Sequence, residues 1–273
     1  MYEFVKVFGE RNSGTNFLNL MLVGNGVRSL VLNKEPDFVP AEWVTRFAEK
    51  DREFFVERYL DQLDRQEYLR NFGWKHARVS VDRLAALEFF PRTFFILLIR
   101  NPVNFVASLH RRPYNVLPGI LADRKQFIRS PLIANERDHL DSILVRNPVE
   151  FWVKKTTAAI EMAASVKNAC LLRYEDLVAD TVGAIRWLGR AGLDFATDDI
   201  VQVSSTKKDP VSFAEYRTKA LSFDPDREFD AEDLAFIMGQ VPRPLARLVG
   251  YEDGRTSWPE APWTSEMFSH LVT

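Results

Sequence analysis

Phe4-Val-Lys-Val-Phe-Gly-Glu-Arg-Asn-Ser-Gly-Thr-Asn-Phe-Leu18 is the stretch whose reading decides the fold. Phe4, Val5, Val7 and Phe8 alternate around Lys6 as a short buried strand does. A polar loop bounded by Gly9 and Gly14 follows, and then Phe17, Leu18, Met21 and Leu22 recur at helical spacing. Ser13 or Thr15 is placed to serve near the N-cap of that helix. Strand, glycine loop and helix together make a phosphate cradle, because glycines let backbone N–H groups converge and the helix N-terminus adds partial positive charge. The spacing Gly9-x4-Gly14 matches the first part of a nucleotide-triphosphate P-loop. Thr15 and Asn16 stand where that motif continues with lysine, and Arg11 offers the positive charge instead. The plain alternative is a strand–turn–helix whose glycines only satisfy turn geometry. Ser13, Thr15 and Asn16 load further hydrogen-bonding side chains onto the loop and favour an anion.

The 273 residues suffice for one large α/β core, and 46% apolar with 27% charged residues is ordinary for a globular protein. A net charge of −2 offers no surface for a polyanion such as nucleic acid, so any basic site is local. Cys170 is the single cysteine, which excludes an intramolecular disulfide and fits a reducing compartment. No basic stretch followed by an apolar one opens the sequence, and no apolar run approaches the ~18 residues a bilayer demands. The expectation is a cytoplasmic protein with no membrane partner.

Further along, Val27–Leu32 reads as a second strand and residues 50–70 as a charged surface helix. Phe72-Gly-Trp-Lys-His76 reads as a short strand ending in two polar residues, and Val81–Phe90 as a helix stopped by Pro91. Thr93-Phe-Phe-Ile-Leu-Leu-Ile-Arg100 has the continuous apolar run of a central parallel strand covered on both faces. A helix from Val103 to about His110 follows. Residues 111–147, with Pro113, Pro118 and Pro131, break the rhythm and read as a partly helical insertion over the site, a lid candidate. Then come a long helix over 148–166, a strand over Ala169–Tyr174 and a helix from Glu175 to about Ala191. Residues 204–229 read as polar loop, with closing helices at 230–238 and 244–249. The whole, 1–273, is expected to be a single α/β domain with a central parallel sheet flanked by helices. Ligands of such sheets bind at the carboxyl ends of the strands, here Gly9–Asn16, Lys75-His76 and Arg100.

Three segments resemble the sulfotransferase family that uses 3′-phosphoadenosine 5′-phosphosulfate. Arg11-Asn-Ser-Gly-Thr-Asn-Phe-Leu18 is similar to the loop that grips the donor's 5′-phosphosulfate. Phe94 to Ser108 resembles the strand–turn–helix that binds the 3′-phosphate through an arginine and, eight residues on, a serine. Leu171-Leu-Arg-Tyr-Glu-Asp-Leu177 is similar to the family's late strand and acidic helix start. The resemblance spans residues 4 to about 180 and fades beyond 200. It implies transfer of sulfate to a hydroxyl or amine of a small molecule or carbohydrate, with Arg11, Asn12, Ser13, Gly14, Thr15, Asn16, Arg100 and Ser108 binding the donor. It also implies Lys75 and His76 as catalytic residues, with Glu35 as the substitute base found after the second strand in some relatives. Two departures stand out: Asn12 replaces the usual lysine before Ser-Gly-Thr, and Lys75 and His76 are adjacent where the family keeps a residue between them.

The chemistry accounts for the same residue types. Arg100 at a strand end can clamp a phosphate with two parallel hydrogen bonds. Ser108 lies eight residues, ~12 Å of helical rise, further on, so one phosphate meets both only beside the helix. Lys75 and Arg11 supply charge for a sulfuryl group in transit, while Thr15, Asn16 and the amides of 13–16 hold the 5′-phosphate. Neighbours on a strand point to opposite faces, so Lys75 and His76 share the site only if the strand has ended. No spacing of metal-ligating residues is present, and no metal is expected. A P-loop kinase is the competing enzyme, and a nucleotide-binding relative without catalysis the competing binder.

Overall fold

The computed structural model describes residues 2–30, 49–114, 123–195 and 212–255, without the side chains of 49–55. Strand β1 (Phe4–Gly9) leads into helix α1 (Thr15–Gly24). Helices α2 (Glu49–Asn71) and α3 (Val81–Ala85) precede strand β2 (Thr93–Ile99). Helix α4 (Pro102–Arg111), the short α5 (Arg124–Phe127) and the two-residue strands β3 (Leu132–Ile133) and β4 (Leu144–Val145) come next. Then follow α6 (Pro148–Ser165), β5 (Ala169–Arg173), α7 (Tyr174–Ala179) and α8 (Thr181–Arg190). Helices α9 (Phe213–Leu221), α10 (Pro225–Glu228), α11 (Ala231–Gln240) and α12 (Arg243–Leu248) close the described chain.

The expected α/β architecture is present as a parallel sheet of order β1-β2-β5 flanked by helices, with β3 and β4 forming a separate antiparallel ribbon. Every residue of β2 is buried, as its unbroken apolar run demands. Phe95, Leu97 and Ile99 join one core with Phe105, Val106, Phe151 and Trp152 from α4 and α6. Phe94, Ile96 and Leu98 join the other with Phe17, Leu18, Met21, Leu177 and Ile185 from α1, α7 and α8. Each such side chain contributes roughly 1.5–3 kcal/mol on burial. The register sets Gly9 beside Leu98 and Ile99 beside Arg173, so the residues just past all three strands emerge together.

Several expectations change. The second strand reduces, among the described residues, to one parallel bridge between Val5 and Ser29. Phe72–His76 is not a strand but a turn, with Phe72 and Gly73 at φ 61° and 73° and Ala77 N–H donating to the Trp74 carbonyl (3.0 Å). The helix expected over 81–90 shortens to α3 and a 3-10 turn at Phe90–Arg92. The helix expected from Glu175 breaks at Asp180, whose carboxylate caps α8 by accepting from Gly183 N–H (2.9 Å). Helices α9 and α10 occupy part of what reads as loop over 204–229. Ser212 and Glu215 form a capping box there, and Pro225 opens α10. Within 111–147, residues Phe127, Ile128, Leu132 and Val145 are built into the core, and buried Arg137 pairs with Asp61 of α2 (2.8 Å). Residues 115–122 of this segment lie outside the described residues.

Candidate functional site

The loop after β1 is a tight construction. A Cβ on Gly9 would meet the Leu98 carbonyl at 2.5 Å, so only glycine lets the two strands close up at this end. The Glu10 carbonyl accepts from both the amide (3.1 Å) and the hydroxyl of Ser13. Asn12 and Gly14 take positive φ, 63° and 89°. Asparagine tolerates that backbone better than most side chains, which accounts for its presence at position 12. Helix α1 then starts from Gly14 with no side-chain cap, and Ser13, expected near the cap, is turned back onto Glu10. Helices α4, α6 and α8 are all capped by Asn or Asp side chains. Helix α1 shares with α3, α7 and α12 the lack of a side-chain cap, so its first-turn N–H groups take no partner from the cap residue.

The 73–77 turn lies across this loop. Gly9 N–H donates to the Lys75 carbonyl (2.9 Å), and the Lys75 ammonium donates to the Asn16 side-chain oxygen. His76 Nδ1 lies 2.6 Å from the Gly9 carbonyl. A carbonyl only accepts, so Nδ1 carries the proton and Nε2 keeps the lone pair. Burial, then the charges of Lys75 and Arg11, push the His76 pKa well below 6.5, so the ring is neutral at neutral pH. Because a turn does not alternate, Lys75 and His76 both reach the loop despite being adjacent. Buried Lys6 holds the start of the turn by donating to the Gly73 carbonyl (2.6 Å). Its own pKa falls to about 7, chiefly through burial.

Arg100 leaves β2 towards the same loop. Its guanidinium donates to the Asn12 carbonyl and to the Asn104 side chain (2.8 Å), and stacks 4.5 Å from the Tyr174 ring. Tyr174 in turn packs on Gly14, where a Cβ would meet its ring at 2.5 Å, and donates to the Tyr216 hydroxyl (2.9 Å). Ser108, one face along α4, accepts from Arg111 (3.4 Å).

These parts line one cleft of about 780 Å³, within the range of small-molecule sites. Of the residues singled out in the sequence, Arg11, Asn12, Gly14, Thr15, Asn16, His76, Arg100 and Ser108 line it. Lys75 reaches it through Asn16, while Ser13 is buried beneath the loop. Glu35 lies outside the described residues. Tyr174 is a wall of the cleft, as are Arg112, Tyr216 and Lys219. Tyr174, read in the sequence as the last residue of a strand, instead opens α7 one residue past β5; α9 lay in a stretch read as polar loop. His139 is structural, bonded to Asp64 (3.0 Å), and His110 packs on Phe127. Among the described residues no group of three or more His, Cys, Asp or Glu side chains could hold a metal ion, and no helix is long and apolar enough to cross a membrane.

Neither a family model nor a curated protein matches the chain. Among solved structures it is similar to a sulfotransferase domain from the curacin biosynthetic pathway, at 14% identity and TM-score 0.40 over 100% of this chain and 98% of that one. A sulfotransferase from Alicyclobacillus acidocaldarius shares 15% identity at TM-score 0.39, over 88% and 96% of the two chains. The sulfotransferase domain of the Synechococcus PCC 7002 olefin synthase shares 15% at TM-score 0.37, over 100% and 94%. At such distances the functional argument rests on this chain's own residues.

Proposed function

We propose that the chain transfers a sulfuryl group from 3′-phosphoadenosine 5′-phosphosulfate to a hydroxyl or amine of a small-molecule or carbohydrate acceptor. One observation carries the reading: the uncapped N-terminus of α1, ringed by Arg11, Lys75 and Arg100, opens into the same cleft as neutral His76. The donor, when bound, brings the electrophilic sulfuryl group and its leaving phosphate. The amides of Gly14 to Asn16, with Thr15 and Asn16 side chains, hold the 5′-phosphate. Lys75 and Arg11 stabilise negative charge on the transferring and bridging oxygens. Arg100 and Ser108 bind the 3′-phosphate, with Asn104 and the Tyr174 ring fixing the guanidinium plane. His76 accepts the acceptor's proton at Nε2 as the new O–S or N–S bond forms.

The test is incubation with radiolabelled sulfate donor and a mixed extract of hydroxyl- and amine-bearing acceptors. Labelled product from wild type, lost in His76→Ala, supports the reading. Phosphate transfer from ATP in its place would make the chain a kinase. Donor binding with no transfer would make it a binding protein. Activity that survives His76→Ala but not Glu35→Ala would move the base to Glu35.

A further inference from the structure

We propose that Lys155 is a positioning residue for the reaction above, holding the turn that carries His76 against the glycine loop so that Nε2 keeps its lone pair for the acceptor. The inference rests on the proposed function for its consequence, though not for its geometry.

Lys155 sits on the buried face of α6 between Trp152 and Ala159, at 8% exposure. Its ammonium lies against three oxygens from three separate segments. It donates to the His76 carbonyl (2.6 Å) and to Asp138 Oδ1 (2.8 Å), and pairs with Glu10 Oε2 (2.8 Å). Glu10 is the first residue of the glycine loop, and its other oxygen accepts from the Arg11 amide (2.7 Å) and the Tyr114 hydroxyl (3.2 Å). His76 therefore lies in a closed ring of contacts. Its imidazole Nδ1 donates to the Gly9 carbonyl, Gly9 is bonded to Glu10, Glu10 pairs with Lys155, and Lys155 returns to the His76 carbonyl. Removing the ammonium opens that ring at two places, at the base's backbone and at the loop's first side chain.

Stability alone is a poor reason for such a cluster. Taking an ammonium and two carboxylates out of water costs heavily, and well-packed apolar side chains often serve as well or better. The electrostatics are nonetheless consistent. Burial works to raise the Asp138 carboxyl, and the Lys155 ammonium, the Asn135 amide and the Arg11 charge together bring it below its ordinary value, while burial wins at Glu10 and raises it. The charged groups facing His76 are Lys75 on its own turn, Arg11 from the loop and Lys155 from α6, all cations that keep the ring neutral. Misplacing a reacting group by about 1 Å costs on the order of 100-fold in rate.

The test compares wild type with Lys155→Met and with Lys155→Met/Glu10→Gln/Asp138→Asn, the latter leaving no unpaired buried charge if the single variant fails to fold. Nitrogen NMR of the His76 ring reads its tautomer directly, and steady-state kinetics reads the reaction. The expectation is loss of the Nδ1–H tautomer's dominance, turnover down about 10–100-fold, and affinity for adenosine 3′,5′-bisphosphate within about three-fold. A ring that keeps its tautomer in the triple variant, or turnover within about two-fold of wild type, overturns the assignment. Wild-type protein that transfers no sulfate while the variant's ring responds leaves the clamp standing and removes the reaction it serves.

Discussion

Gly14→Ala tests the construction of the phosphate loop without touching a functional side chain. At φ +89° an alanine is strained wherever it sits, and its Cβ would come within 2.5 and 2.7 Å of two Tyr174 ring atoms. The ring has little room to yield. It is 4% exposed, stacked 4.5 Å from the Arg100 guanidinium, and tied by its hydroxyl to Tyr216 at 2.9 Å. The left-handed backbone costs about 1–2 kcal/mol for a residue with a Cβ, and overpacking adds about 1–3 kcal/mol. The sum, roughly 2–5 kcal/mol, lowers the melting temperature by about 5–20 °C for a chain of this size. Because relief comes by displacing Tyr174 and with it Arg100, affinity for adenosine 3′,5′-bisphosphate should fall at least ~10-fold, or about 1.4 kcal/mol. Gly239→Ala is the control, since its Cβ meets nothing within 4 Å in α11. That change should be neutral or stabilising by up to ~1 kcal/mol. Scanning calorimetry and nucleotide titration read both. A Gly14→Ala protein that melts and binds like wild type would refute the reasoning.

Further outcomes follow from the same contacts. His76→Ala should lower turnover about 10²–10⁴-fold while bisphosphate affinity stays within a few-fold. The acid limb of the wild-type kcat/KM profile should lie below pH 6.5, because burial and the Lys75 and Arg11 charges depress the ring's pKa; a limb above 6.5 would contradict a neutral buried base. Lys6 has a folded pKa of about 7 against 10.5 unfolded, so the unfolded chain binds more protons between them and stability rises with pH in that window. Urea unfolding between pH 7 and about 8.5 should show that rise, and Lys6→Met should flatten it. If the segment 111–147 contributes a mobile cover over the cleft, limited proteolysis should cut within it in the free protein and less with nucleotide bound.

The sheet and the loop were legible because each rests on local chemistry. An unbroken apolar run such as Phe94–Ile99 has few alternatives to a strand covered on both faces, and glycines flanking a polar loop before a helical pattern leave little else. The turn at 73–77 was not legible, because positive φ at Phe72 is imposed by tertiary packing and leaves no mark in the sequence. Reading it as a strand made adjacency of Lys75 and His76 an objection that the turn removes. Buried Lys6 and Lys155 did leave a signal, a charge within an otherwise apolar strand or helix face, but their partners come from distant segments, while Glu10 sat unmarked in a polar loop. Tyr216 and Lys219 belong to α9, whose capping box is visible but whose docking beside α7 is set only by the folded chain.

Titration calorimetry with adenosine 3′,5′-bisphosphate and adenosine 5′-phosphate tests the central claim most directly, on wild type, Ser108→Ala and Arg100→Ala. The account predicts far tighter binding of the bisphosphate by wild type. It expects a loss of about 2–5 kcal/mol on removing Arg100, the range for leaving one partner of a buried charge pair alone. It also expects a loss confined to the bisphosphate on removing the Ser108 hydroxyl. Equal affinity of wild type for the two nucleotides would contradict it, because Arg100 and Ser108 would then read no 3′-phosphate.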